Sequence, residues 1–231
     1  MAINEVSVVL AHGVWADGSS WARVIAPLEA EGAKVIAAPL PLNSLADDVA
    51  ALNRTLDRAE GQIVLAGHAY AGAVIAEASP ERVKALVYVT ALAPDEGETV
   101  ANVFYRTTPH PLAPKLAPDA NGLIWLPEDA FASAFAQHGS PDDLAVLAAV
   151  QRPISPACIT VPVDRPLWKD VPAWFLVAED DRMIVPETQR YMAGRMKATI
   201  RSHAVDHTPI VTAPSVVVDI IREAARNVSR S

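Results

Sequence analysis

The sequence predicts an α/β protein: a mostly parallel, doubly wound sheet with a helical cap inserted after the fourth predicted strand. Three observations carry this. Short apolar strands alternate with helices up to residue 90. The first strand, residues 6–11, is apolar along its length, as suits a parallel strand covered on both faces. The alternation then breaks into a proline-rich stretch, about 94–170, and resumes at residue 173.

The elements follow in order. After residues 6–11 comes His12-Gly13-Val14-Trp15, then the turn and capping residues Asp17-Gly18-Ser19. A helix over about 20–31 places Trp21, Val24, Ile25 and Leu28 at helical spacing and stops at Gly32. Residues 34–38 form a second strand, and Ser44 caps a helix running to about residue 60. The third strand is 62–66, followed by a turn and a helix ending near Ser79-Pro80, and the fourth is 83–90. Beyond the cap, 173–178 is a strand, Pro186 begins a helix to about 196, 199–202 is a last strand, and 215–226 is the closing helix.

Within 94–170 the signals are helical. One helix is expected over about 128–138, and another after the start signal Ser140-Pro141-Asp142-Asp143, whose acids favour a helix N-terminus. Long insertions in compact domains usually carry function, so this one is expected to cover the active face of one domain spanning 1–231.

Composition narrows the function. With 51% hydrophobic and 20% charged residues over 231 positions, the chain can bury a large core. A formal charge of −8 argues against nucleic acid or an anionic membrane as partner. The lone Cys158, expected in a loop, excludes a disulfide framework and a cysteine metal cluster. No basic leader and no run approaching the ~18 apolar residues of a membrane span is present, so a cytoplasmic location is expected.

The chemistry centres on Ile63 to Gly72, I-V-L-A-G-H-A-Y-A-G. A buried strand, a sharp turn and a small-residue helix make a nucleophile elbow, usually written G-x-S-x-G. Gly67, Ala71 and Gly72 are the small flanking residues, but the nucleophile position holds Ala69, whose methyl group cannot attack a carbonyl. A base and an orienting acid should accompany such a position, in chain order nucleophile, acid, histidine. Past the strand after the cap lie Glu179, Asp180 and Asp181, and past the final strand His203 and His207.

Four stretches spanning nearly the whole chain carry a resemblance: A-H-G-V-W at 11–15, G-H-A-Y-A-G at 67–72, A-E-D-D-R-M-I-V-P-E-T-Q-R at 178–190 and V-D-H-T-P-I-V at 205–211. The chain resembles the small α/β-hydrolases of the hydroxynitrile lyase and methyl salicylate esterase-like group. The resemblance implies an α/β-hydrolase fold. It makes Asp181 the triad acid, ahead of the pattern ending in Pro186 and Gln189, with Asp180 the runner-up. It makes His207 the triad histidine, and leaves His203 at the surface or a strand end. It places the oxyanion hole at the backbone N–H groups of Val14 and Tyr70. His12 is expected to turn its loop by hydrogen bonding to backbone, and His68 to point away from the reacting centre. Trp15, Phe104, Trp125 and Trp168 are the candidate pocket residues, with Phe131 and Phe135 as further cap aromatics. His110 and His138 are expected to face solvent.

By the same resemblance the activity is hydrolysis of a small carboxylic ester, with no metal or organic cofactor, and a homodimer is compatible with it. Ala69 admits three readings: an engineered Ser→Ala variant of an otherwise complete esterase site, a natural enzyme working through His207 and Asp181 alone, or a ligand-binding protein. The first is preferred because every other part of the site is present. Lyase chemistry on a cyanohydrin is a further alternative, favoured by a cap lysine reaching the site. Lys115 and Lys169 are the candidates.

Overall fold

The computed structural model describes residues 6–229, so the first five residues of the stretch read above for a leader lie outside it. Six strands form one sheet: β1 (Val6–Ala11), β2 (Lys34–Ala38), β3 (Gln62–His68), β4 (Val83–Val89), β5 (Ala173–Ala178) and β6 (Thr199–His203). Their order is β2-β1-β3-β4-β5-β6, and every neighbouring pair is parallel.

Alternate side chains of β1 to β5 serve two cores, as the pleat requires, while the edge strand β6 is largely exposed. Val8, Leu10, Val64, Ala66, Val87 and Leu176 face one layer, which holds α1 (Ala22–Ala30) and α9 (Pro214–Val228). Val9, Ala11, Leu65, Tyr88, Phe175 and Val177 face the other, which holds α2 (Leu45–Arg58), α3 (Ala71–Ala76) and α7 (Pro186–Arg195). Both faces of the central strands are therefore buried, which is why β1 and β3 are mostly apolar rather than alternating with polar residues.

The chain leaves β1 for β2 on one side and crosses back to β3 on the other. That reversal opens a crevice at the carboxyl ends of β1 and β3, where open α/β sheets bind ligands. Residues 12–15 and 68–70 enter it from the two strands.

The connection between β4 and β5 contains no named strand among the described residues. It holds α4 (Val100–Phe104), α5 (Glu128–Ala130), α6 (Pro141–Ala149) and short 3-10 turns at Pro156–Cys158 and Leu167–Lys169. Isolated bridges, such as Ile124 with Ile154, tie it together. The start signals at Ser44 and Ser140 are used as expected. Each hydroxyl accepts the N–H three residues on, and Ser140 and Asp143 form a reciprocal capping box.

Several expectations need correction. A 3-10 turn, Gly18–Trp21, capped by the Asp17 carboxylate, precedes α1, so the α-helix begins two residues later than predicted. The helix expected over 128–138 becomes α5 plus a π-helical turn at Phe131–Phe135, closed by the Ala136 N–H on the Phe131 carbonyl at 2.8 Å. The Phe135 carbonyl instead accepts the Thr208 hydroxyl at 2.6 Å, so a tertiary donor replaces the next helical one. α4 and α8 (Pro209–Thr212) were not anticipated, being too short for a periodic signal. Cys158 lies not in an open loop but fully buried in its 3-10 turn.

Candidate active site

The elbow is built by close backbone approach. A Cβ on Gly67 would lie 2.8 Å from the Ala71 carbonyl oxygen, and one on Gly72 would lie 2.2 Å from that of Leu92. Both positions therefore admit only glycine without a shift. Between them Ala69 adopts φ 51°, left-handed backbone that a residue with a Cβ rarely takes. The turn is held from both sides. The Ala69 N–H donates to Val89 O at 3.2 Å, and its carbonyl accepts Gly72 N at 3.1 Å and Leu92 N at 2.9 Å. The Ala69 methyl is thus presented at the end of β3, at the lining of a cavity.

Asp181 is buried just past β5, and each of its oxygens accepts twice. Oδ1 takes Met183 N at 2.7 Å and Ile184 N at 2.9 Å. Oδ2 takes Gln189 Nε2 and His207 Nδ1, both at 2.8 Å. Four donors suit an acceptor-only carboxylate. Because a carboxylate can only accept, His207 Nδ1 is the donor in this bond, and the His207 ring lines the cavity. Asp180, the runner-up, is about half exposed and faces His138 instead. Glu179 pairs with Arg190. His203 is exposed at the end of β6.

The loop after β1 approaches the elbow so closely that a Cβ on Gly13 would meet the Ala69 Cβ at 3.0 Å. His12 turns this loop. Its Nε2 accepts Leu40 N at 3.2 Å, which leaves Nδ1 to donate to the Gly13 carbonyl at 2.9 Å. Burial lowers its pKa to about 4, so the ring stays neutral. Val14 and Tyr70 both line the cavity, and neither backbone N–H has a partner among the described residues.

The cavity, of about 100 Å³, is lined by Ala69, His207, Trp15, Leu92, Val100, Phe104, Met183 and further apolar side chains of the β4–β5 connection. Among the described residues no lysine, arginine, aspartate or glutamate lines it. Trp15 sits at φ 58° and is fixed by its indole N–H on the Ile124 carbonyl at 3.1 Å.

Two of the four candidate pocket residues, Trp15 and Phe104, line the cavity, and two do not. Trp125 is 44% exposed because its indole N–H turns to the surface carboxylate of Asp119. Trp168 is buried elsewhere, with its N–H on Pro94 O at 3.3 Å and the Arg195 guanidinium over its ring. Phe131 and Phe135 are buried, and Phe135 lies 5.3 Å from the His207 ring. His138 is exposed and His110 half-buried. Neither lysine lines the cavity: Lys169 pairs with Asp95 and Glu96, and Lys115 is exposed.

Two groups of polar residues escaped sequence reasoning. Behind the elbow, the fully buried Asp48 accepts the Tyr70 hydroxyl at 2.7 Å, Leu42 N at 2.7 Å and, weakly, the Cys158 thiol at 3.7 Å. Burial raises the pKa of Asp48 and Tyr70, and that of Cys158 to about 12. A lone Asp early in a helix carries no signal distinguishing it from a solvated one. The second group surrounds His68. It lies fully buried outside the cavity lining, its ring 5.1 Å from that of His207.

Comparison with known proteins adds to this geometry. The profile described as "Alpha/beta hydrolase family" matches residues 8–220. The chain is 27% identical to the alpha/beta hydrolase nvfD of Aspergillus novofumigatus, over 80% of each chain. It is 25% identical to methylesterase 8 of Arabidopsis thaliana, over 91% of this chain and 86% of that one. Polyneuridine aldehyde esterase superposes with a TM-score of 0.81 at 18% identity, covering 95% of this chain and 98% of its own, a likeness of fold. Among the described residues no helix is long and apolar enough to cross a membrane.

Proposed function

The chain belongs to the alpha/beta hydrolase family, and from that premise we propose that its cavity is a site for hydrolysis of a small, uncharged carboxylic ester, with alanine in the place of the nucleophile. The observation that carries this reading is the buried His207–Asp181 pair, bonded at 2.8 Å, whose His207 ring shares one apolar cavity with the strained Ala69. The similarity to a methylesterase supports it.

With serine at position 69, its Oγ attacks the ester carbonyl and His207 Nε2 takes the proton. Asp181 holds the imidazole in the tautomer this requires. The carbonyl oxygen becomes an oxyanion between the N–H groups of Val14 and Tyr70, each worth about 3 kcal/mol in such a site. His207 returns the proton to the leaving alcohol, then activates a water that releases the acid. No step calls for a metal or organic cofactor. The uncharged lining selects a neutral substrate, because a buried carboxylate would find no cation there. With alanine the acyl-enzyme cannot form, and turnover is expected to be about 10⁶-fold below the serine form, while binding survives.

The intact pair also supports a second reading, in which His207 acts alone as a general base on a bound substrate. The test is Ala69→Ser, compared with the unaltered chain on short-chain aryl esters and with an organophosphonate probe. Turnover and labelling gained with serine support the ester reading. No gain in either overturns it, and leaves His207-based chemistry or ligand binding to be assayed.

A further inference from the structure

We propose that His68 and Thr90 are positioning residues that hold His207 by its backbone carbonyl while Asp181 holds it by its ring. The His207 carbonyl oxygen accepts two side-chain donors, His68 Nε2 at 2.7 Å and the Thr90 hydroxyl at 3.0 Å. Both come from rigid places. His68 is the last residue of β3 and pairs in register with Val89, the last of β4, which Thr90 follows. Thr90 is itself fixed in left-handed backbone, φ 46°, with its N–H on Leu176 O at 3.0 Å. His207, by contrast, lies in an irregular segment between β6 and α8, with no strand or helix of its own to set its height. The sheet therefore reaches out and fixes the carbonyl, and the ring is left between Phe135 and His68.

The chemistry of His68 fits this role. A carbonyl only accepts, so Nε2 must carry the proton and Nδ1 must be the bare nitrogen. Nδ1 is buried without a hydrogen-bond partner, close against Gly13, so the ring spans from the loop after β1 to the histidine loop. Burial, helped by His207, lowers its pKa to about 3, so it remains a neutral donor. A side chain present for volume alone would not retain an unsatisfied acceptor there, since an apolar residue fills the space without that desolvation cost.

Paired variants test this. His68→Leu and Thr90→Val remove a donor at nearly constant volume, and His68→Gln and Thr90→Ser keep one. The first readout uses the chain as it is: the low-field proton resonance of His207 Nδ1–H, identified by histidine ¹⁵N labelling and by its loss in His207→Gln. It should persist in the Gln and Ser variants and exchange rapidly with solvent in Leu, Val and their double mutant. The second readout, which rests on the ester reading, uses the same changes with Ala69→Ser. Here kcat should fall about ten- to a hundred-fold on donor loss, with KM within about two-fold, and Gln should restore most of it. A protected resonance and unchanged kcat in the double mutant would overturn the proposal, as would His68→Gln behaving like His68→Leu. Should Ala69→Ser show no turnover, the ester reading fails while the resonance still decides this one. Should His68→Leu not fold, Thr90→Val carries the test.

Discussion

Asp181 and His207 stand 26 residues apart in the chain, yet Oδ2 of one meets Nδ1 of the other at 2.8 Å, and the same oxygen accepts Gln189. On the proposed ester reading, Asp181→Asn in the Ala69→Ser background should lower kcat by about 10⁴-fold, because an amide can favour the wrong imidazole tautomer. Asp180→Asn should leave kcat within about two-fold, since that side chain is half exposed and faces His138. Steady-state kinetics of the two variants separates these adjacent acids.

Two of the buried histidines, His12 and His68, make the fold acid-sensitive. His12 and His68 fall from an ordinary value of 6.5 to about 4 and about 3 when buried. Between those limits the unfolded chain binds protons that the folded chain refuses, so stability rises with pH. It should be fully present above about pH 6.5 and fall as the pH drops towards 4 and 3. Urea midpoints at pH 7.5, 6 and 5 measure the loss, and His68→Gln should flatten the slope. A midpoint unchanged down to pH 5 would contradict the burial of both rings.

Gly72 and Gly194 should respond to alanine with opposite signs. A Cβ at Gly72 runs into the Leu92 carbonyl, whereas one at Gly194 in α7 meets nothing within 4 Å. Gly72→Ala should cost about 3 kcal/mol from overpacking. Gly194→Ala should gain roughly 0.5–1 kcal/mol from helix preference. Denaturant unfolding reads both.

Removing the Tyr70 hydroxyl leaves Asp48 Oδ2 with only a distant thiol. Tyr70→Phe should therefore destabilise by about 1–3 kcal/mol, the cost of an unsatisfied buried acceptor. Its backbone N–H remains, so on the proposed ester reading the Ala69→Ser variant should keep most of its kcat. Calorimetry and kinetics on one preparation check both halves.

Cys158 should resist alkylation at pH 8 in the folded protein and react at once in urea. It is buried, and burial with the Asp48 carboxylate lifts its thiol to about 12. Fast labelling without denaturant would show that the connection over the cavity opens readily.

The sequence by itself determined the alternation of strands and helices, the strand–turn–helix around Ala69, and the segments that hold Asp181 and His207. These are local signals. Apolar runs, caps at Ser44 and Ser140, and small residues around Ala69 each report on their own few residues. Choosing Asp181 over Asp180 needed a family pattern, since adjacent acids look alike until one is buried under four donors. What only the tertiary structure decided is how distant segments meet. Trp125 turned outward to Asp119, Asp48 became a buried partner of Tyr70, and His68 bonded to the His207 carbonyl, 139 residues away. A hydrogen bond between such segments is set by the register of parallel strands and the packing of two cores, and neither quantity is written in the residues on either side of the bond.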